Sequence, residues 1–219
     1  MKTRANFDHN LQQLKESLLQ MSAKSELAIK DSMVALLNQD LDLAHKVIQS
    51  DNDIDQMEQD IHDKALMLIA RESPVAKDLR KISVALKVSS EVERMGDMAV
   101  NIAKSVIRIG NQTYLSPLKD ISKMMESVVE MVTDSITAYY AEDIDLAQKC
   151  AKKDDQVDEM FGVIIGELLS QIPSNPNSMN QIIQLSFVCR FLERIADHST
   201  NIVENVIFLE TGKLYNLNA

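Results

Sequence analysis

Tryptophan is absent from the 219 residues, and glycine (five), proline (four) and cysteine (two) are scarce. So few turn formers, beside twelve methionines, point to long helices joined by few turns, and an all-α fold is expected. Cys150 and Cys189 have no metal-type spacing and sit in helical patterns. They are expected as buried thiols in a reducing compartment. No apolar run approaches the ~18 residues of a membrane span, and the N-terminus leads into an amphipathic pattern rather than a signal-peptide core, so a cytoplasmic protein is expected. Basic residues are outnumbered, 23 against 33 acidic, for a formal charge of −10. That balance argues against non-specific nucleic-acid binding, which needs dense Lys and Arg, and it disfavours free anions as ligands. Gly-rich phosphate loops, nucleophile elbows and Cys/His knuckles are missing.

What is present is a soluble globular composition, 45% apolar and 26% charged, and one polar pattern that occurs twice. Val92-Glu93-Arg94-Met95-Gly96-Asp97-Met98-Ala99-Val100-Asn101-Ile102 returns 100 residues later as Leu192-Glu193-Arg194-Ile195-Ala196-Asp197-His198-Ser199-Thr200-Asn201-Ile202. Each copy lies in an apolar period of helical type, which puts Glu, Asp and Asn at i, i+4 and i+8 on one face. At about 100° per residue the stripe Val84, Val88, Val92, Met95, Ala99, Ile102, Val106 falls opposite Glu93, Asp97 and Asn101. The carboxylates are therefore expected outside the core. Like charges at i, i+4 cost roughly 0.2–0.5 kcal/mol per pair, so a duplicated pair calls for a compensating cation. Arg94 and Arg194 are one candidate and a metal ion is another.

Along the chain, Phe7, Leu11, Leu14, Leu18 and Met21 open a long helix whose pattern breaks near Asn38-Gln39-Asp40, with Asp40 or Asp42 as the next cap. A second helix spans about Leu41 to Arg71, carrying Asp51, Asp55, Glu58 and His62 in a narrow arc beside its apolar stripe. Ser73-Pro74 stops it, a third begins near Pro74, and Ile109-Gly110-Asn111 ends that one. Ser116-Pro117 is expected to open the fourth. Asp40-Leu41-Asp42-Leu43-Ala44 recurs as Asp143-Ile144-Asp145-Leu146-Ala147, and Asp51, Asp55 and Met57 as Asp154, Asp158 and Met160, at an offset of 103 that falls to 100 by Glu193. A period this long is a duplicated three-helix unit rather than a solenoid repeat. The expected division is 1–112 and 113–219.

Short turns set the second and third helices side by side, so Asp51 and Asp55 face Glu93 and Asp97, while Asp154 and Asp158 face Glu193 and Asp197. Clustered oxygens suit hard cations such as Mg, Ca, Mn or ferric iron. The competing account is a solvated acidic groove that docks a basic partner. His62 and His198 are weaker candidates because Ile165 and Met98 occupy their places in the other copy. Asp42-Leu43-Ala44-His45 faintly resembles the Glu-x-x-His of di-iron bundles, but Gln148 replaces the histidine in the second copy, which disfavours oxidase chemistry.

Pro74-Val75-Ala76-Lys77-Asp78-Leu79-Arg80, followed by the two Glu-Arg-x-x-Asp segments, resembles the PhoU family of bacterial phosphate-uptake regulators. The resemblance covers nearly the whole chain. It implies a fold of two tandem, pseudo-symmetric three-helix bundles, six long helices in all, and a cytoplasmic, non-enzymatic negative regulator of phosphate-starvation signalling. It implies metal ligands at Asp51, Asp55, Glu93, Asp97, Asp154, Asp158, Glu193 and Asp197, for divalent or ferric ions among Fe, Mn, Mg and Zn. The implied partners are the ATPase subunit of a phosphate ABC transporter, which would recruit the protein to the inner face of the membrane, and the PAS region of a sensor histidine kinase. A homodimer or higher homo-oligomer is also expected. Two departures stand out: Ala196 replaces Gly96, and Asn177-Ser178-Met179-Asn180-Gln181-Ile182 stands where the first copy has its proline-led run. The alternative from another class is a carboxylate-bridged metalloenzyme or metal store, and a third is a helical adaptor without metal.

Overall fold

The computed structural model describes residues 2–115 and 118–217, with side chains from Asn6 onward. Its first three helices are α1 (Lys2–Asn38), α2 (Leu41–Glu72) and α3 (Ala76–Ile109). Asp40 caps α2, its carboxylate accepting from the Leu43 N–H at 2.9 Å. Ser73, left-handed at φ 46°, ends α2 ahead of Pro74, and Gly110 at φ 64° ends α3. The expected opening of the fourth helix at Ser116-Pro117 lies outside the described residues.

The second copy follows with α4 (Lys119–Ala141), α5 (Ile144–Ala151), α6 (Asp154–Ser170) and α7 (Met179–Thr211). Asp143 repeats the cap of Asp40, accepting from Leu146 N–H at 3.0 Å. The six-helix plan is kept, with one difference: the counterpart of α2 is interrupted at Lys152-Lys153, giving α5 and α6. Lys153 N–H turns to the Cys150 carbonyl at 3.0 Å, a tighter i−3 bond. Its ammonium reaches Glu130 at 2.6 Å and Asp134 at 2.8 Å on α4. Two short 3-10 turns, Ile172–Ser174 and Pro176–Ser178, precede α7. Among the described residues there is no strand, and no helix is long and apolar enough to cross a membrane.

Helices α1, α2 and α3 pack on one another, and α4, α5 and α6 gather on α7. The two sets meet where α3 runs antiparallel along α7: Arg80 donates to the Leu209 carbonyl, Glu91 meets His198, and Asn180 donates to the Arg108 carbonyl. Buried apolar side chains consequently form one continuous core through both sets, from Leu14 and Ile29 to Leu192 and Val206. Cys150 and Cys189 are free and buried in it, and burial pushes both thiols up to about 12.

The Gly96/Ala196 departure has a packing reason. A Cβ on Gly96 would stand 3.1 Å from Ile54 Cδ1 and 3.5 Å from its Cγ2. Val157 holds the Ile54 position in the second copy, one methylene smaller, and both Val157 and Ala196 are fully buried. The methyl group removed from one helix is restored on its neighbour.

Candidate metal centres on the duplicated carboxylates

Each copy assembles its carboxylates from the helix that follows the Asp cap and the helix that closes the unit. In the first copy Asp51 and Asp55 lie one turn apart on α2, and Glu93 and Asp97 one turn apart on α3. Burial raises the Asp51 carboxyl above its ordinary value, and the charges of Asp55 and Asp97 raise it further against the opposing pull of Lys104. Burial likewise raises Glu93, followed by Asp97, Asp55 and Glu58, with Arg94 opposing. These couplings bring the four expected residues into one electrostatic field and add Glu58. That carboxylate accepts from the Ser90 hydroxyl at 3.0 Å, and His62 Nε2 lies 3.0 Å from it.

The second set is deeper. Burial raises Asp154 to about 6, and the charges of Asp197, Asp158 and Asp155 add to the rise while Thr200 opposes it. Glu193 is raised by burial and then by Asp197, Asp158 and Asp154, against Arg190. Asp197 is raised by burial and by Asp158, against Arg190, His198 and Arg194. All four expected residues are again mutually coupled. The expectation that the carboxylates stand outside the core holds less well here, since Asp154 and Glu193 are each only 9% exposed. The reason lies in the surroundings of α7, which carries α4, α5, α6 and α3 around it and keeps little solvated surface.

Two further corrections concern the helix face. Eight residues at about 100° drift some 80° around a helix, so Asn201 leaves the carboxylate face. It donates to Glu91 Oε2 at 3.0 Å across the α3–α7 seam. His198 also belongs to that seam, its Nδ1 2.7 Å from the same oxygen. Burial pushes Glu91 up, but the hydrogen bonds from His198 and Asn201 and the charges of His198 and Arg94 outweigh it and hold its carboxyl below the ordinary range.

The donor set fits a hard cation. Glu193 Oε1 is held by Arg190, whereas Glu193 Oε2 and Asp154 Oδ1 are buried with no hydrogen-bond partner. An orphaned carboxylate oxygen costs free energy that a cation would return. The cations already present do not offset burial and crowding together, because Asp51, Glu93, Asp154, Glu193 and Asp197 all remain raised, by burial first and by neighbouring carboxylates next, beside Lys104, Arg94, Arg190 and Arg194. Among the described residues no three His, Cys, Asp or Glu side chains close on a point as a ready-made cage. An ion would therefore keep part of its water shell or draw the side chains inward, which flexible oxygen ligands allow.

Glu58 and Arg190 were the residues that the repeat obscured. Glu58 sits in the Asp51–His62 arc but has Phe161 as its counterpart, and Arg190 has Ser90, so neither pairs with itself across the copies. The i, i+3 spacing of Arg190 and Glu193 was the available signal for the second.

Beside the second set runs a groove of about 730 Å³ between α5, α6 and α7, lined by Lys152, Asp154, Asp158 and Asp197 and walled by Tyr215 and Leu217 of the C-terminal segment.

Comparison with known proteins places these features. Residues 18–106 and 121–206 each match the family described as "PhoU domain". A protein of Clostridium acetobutylicum named phosphate-specific transport system accessory protein PhoU homolog is 40% identical over 217 residues, 99% of both chains. A homolog of the same name from Aquifex aeolicus is 39% identical over 93% of this chain and 92% of its own. The crystal structure of PhoU from Pseudomonas aeruginosa superposes with a TM-score of 0.91 at 31% identity, covering 94% of this chain and 100% of that one. The phosphate transport system regulatory protein PhoU from Streptococcus pneumoniae gives 0.90 at 27% identity, over 96% and 99%.

Proposed function

Because the chain belongs to the PhoU family, we propose that it is a non-enzymatic accessory of phosphate transport that represses the phosphate-starvation response when phosphate is plentiful. The observation that carries this reading is the end-to-end match, 99% of both chains, to a protein named as an accessory of phosphate-specific transport. A relative named as a phosphate transport regulatory protein, of the same fold over 96% of the chain, supports the regulatory half. In this reading the protein is cytoplasmic, meets the ATPase subunit of a phosphate ABC transporter at the membrane, and relays its state to the PAS region of a sensor histidine kinase.

The two carboxylate sets are the metal sites of this reading. Asp51, Asp55, Glu93 and Asp97 would hold ions in the first copy, and Asp154, Asp158, Glu193 and Asp197 in the second. A bound divalent or ferric ion supplies positive charge to crowded carboxylates. The chain's own residues set where that charge goes: Arg190 fixes one Glu193 oxygen and leaves the other buried without a hydrogen-bond partner. Metal here ties the middle and closing helices of each copy together, a structural role that leaves the outer faces free for partners. The unpartnered oxygens of Asp154 and Glu193 favour this over a purely solvated acidic face.

The test is a deletion strain grown in high phosphate, with any paralogue removed first. Starvation genes should be expressed despite the phosphate. Expression that stays low, with normal uptake, would overturn the regulatory reading. Metal analysis of protein purified without a chelating tag tests the sites separately.

A further inference from the structure

The two copies treat the chain that leaves their closing helix differently. After α3, Gly110 (φ 64°, ψ −150°) sends the linker away: the Tyr114 hydroxyl donates to the Leu36 carbonyl at 2.6 Å, and Leu115 N–H donates to Gln181 at 3.0 Å. After α7, Gly212 is left-handed (φ 71°, ψ 8°) and reverses the chain. A side chain there would meet the Arg80 guanidinium, whose Nη1 stands 2.8 Å from the place a Cβ would take. The reversed segment runs back beside α7. Lys213 N–H donates to Thr211 Oγ1 at 3.2 Å, and Leu217 N–H donates to Glu204 Oε1 at 2.6 Å. Glu204 lies two turns from Asp197 on the same helix, about 10 Å along its axis. Tyr215 and Leu217 thereby line the same groove as Asp154, Asp158 and Asp197.

We propose that Lys213–Leu217 is a strap that closes the second carboxylate set and slows the exchange of its cation, so that the two sites of one chain load and release at different rates. This rests on the metal reading above and concerns its regulation. Asp154, 9% exposed with an unpartnered oxygen and lining the groove, is the group to which access is controlled. Among the contacts that hold the segment is a backbone N–H on a carboxylate, Leu217 to Glu204, whose loss loosens it locally without unfolding the bundle.

The experiment uses the full chain loaded with Mn²⁺ and challenged with excess EDTA in a stopped-flow instrument. Release should have two phases, and Asp197→Asn should delete the slow one. Ending the chain at Gly212, or Leu217→Pro, which removes the anchoring N–H, should speed the slow phase ~10-fold, the order expected when opening no longer breaks a hydrogen bond to a carboxylate. A slow phase unchanged by both variants overturns the strap. A metal-free arm separates this from failure of the metal reading. With Ala151→Cys on the groove wall and no metal present, a bulky thiol reagent should label the truncated chain faster than the full one. Equal labelling also overturns the strap. Absence of bound Mn²⁺ overturns the metal reading and the strap's part in exchange, and the labelling contrast then reports the cover by itself.

Discussion

Replacing Asp154 with Asn removes a carboxylate whose charge is disfavoured at the second site by burial and by its neighbours. The folded protein holds this carboxyl at about 6 against 3.8 for the free group, by burial first and then by the charges of Asp197, Asp158 and Asp155. At 1.36 kcal/mol per unit the shift corresponds to ~3 kcal/mol. Water along the open side of the groove screens part of it, leaving about 1–2 kcal/mol. The sign follows from proton binding. Between pH 3.8 and about 6 the folded state holds a proton that the unfolded state has lost, so stability falls as pH rises through this window and the full cost stands above it. Asn carries no charge, and its amide can keep the contact with Thr200 that the carboxylate makes. In chelator at pH 7.5, Asp154→Asn should therefore gain about 1–2 kcal/mol in urea melts, raising the melting temperature by roughly 2–4 °C per kcal/mol. Near pH 4 most of that gain should vanish. With Mn²⁺ at ~100 times its dissociation constant the order should reverse, since wild type gains about 2.7 kcal/mol by mass action and the variant loses a ligand. A variant less stable than wild type at pH 7.5 in chelator, or one shifted equally at both pH values, would refute the reasoning.

Three other outcomes are expected. Asp97→Asn should lower bound metal in the first copy and Asp197→Asn in the second, with helical circular dichroism unchanged; equal metal content in wild type and the double variant would remove both residues from the sites. Gly96→Ala crowds Ile54, whereas Gly96→Ala with Ile54→Val copies the second half, so a double-mutant cycle should show favourable coupling of about 0.5–1 kcal/mol. Burial pushes the Glu142 carboxyl up, but hydrogen bonds from Lys81 (3.0 Å) and Lys15 (3.1 Å) outweigh it and hold it low. Its stabilisation is thus present above about 4.5 and lost as pH falls below. Glu142→Gln should cost under about 1 kcal/mol at pH 7, with the cost shrinking as pH falls below the ordinary carboxylate range, and titrated urea midpoints are the measure.

Helix existence was legible because the stop signals are local: Asp40, Ser73-Pro74 and Gly110 act on their own backbone neighbours, and each ends or starts a helix within a few residues of its expected place. The carboxylate pairing was legible through the repeat, which brought the same four positions together twice. What escaped was whatever depended on neighbours distant in sequence. The break at Lys152-Lys153 answers to Glu130 and Asp134 on α4. The burial of Glu193 reflects helices stacked around α7, and Asn201 and His198 turned toward Glu91 because α3 passes there. A helical wheel assigns a residue to a face but does not say what that face meets.

The seam between α3 and α7 has a consequence for how the two sites came to differ. Arg80 and Asn180 are the same position of the two copies, and each reaches across to a carbonyl near the end of the other's closing helix, at Leu209 and Arg108. Such mutual contact is the geometry of an isologous interface, the kind that joins two identical chains about a two-fold axis. In a homodimer every substitution appears on both sides at once. Fused into one polypeptide, the halves stay bound at the high effective concentration of a short tether, and each is free to change alone. Glu58 opposite Phe161, Ser90 opposite Arg190, and a reversed tail on one side only are changes that a symmetric pair would have been unable to make singly.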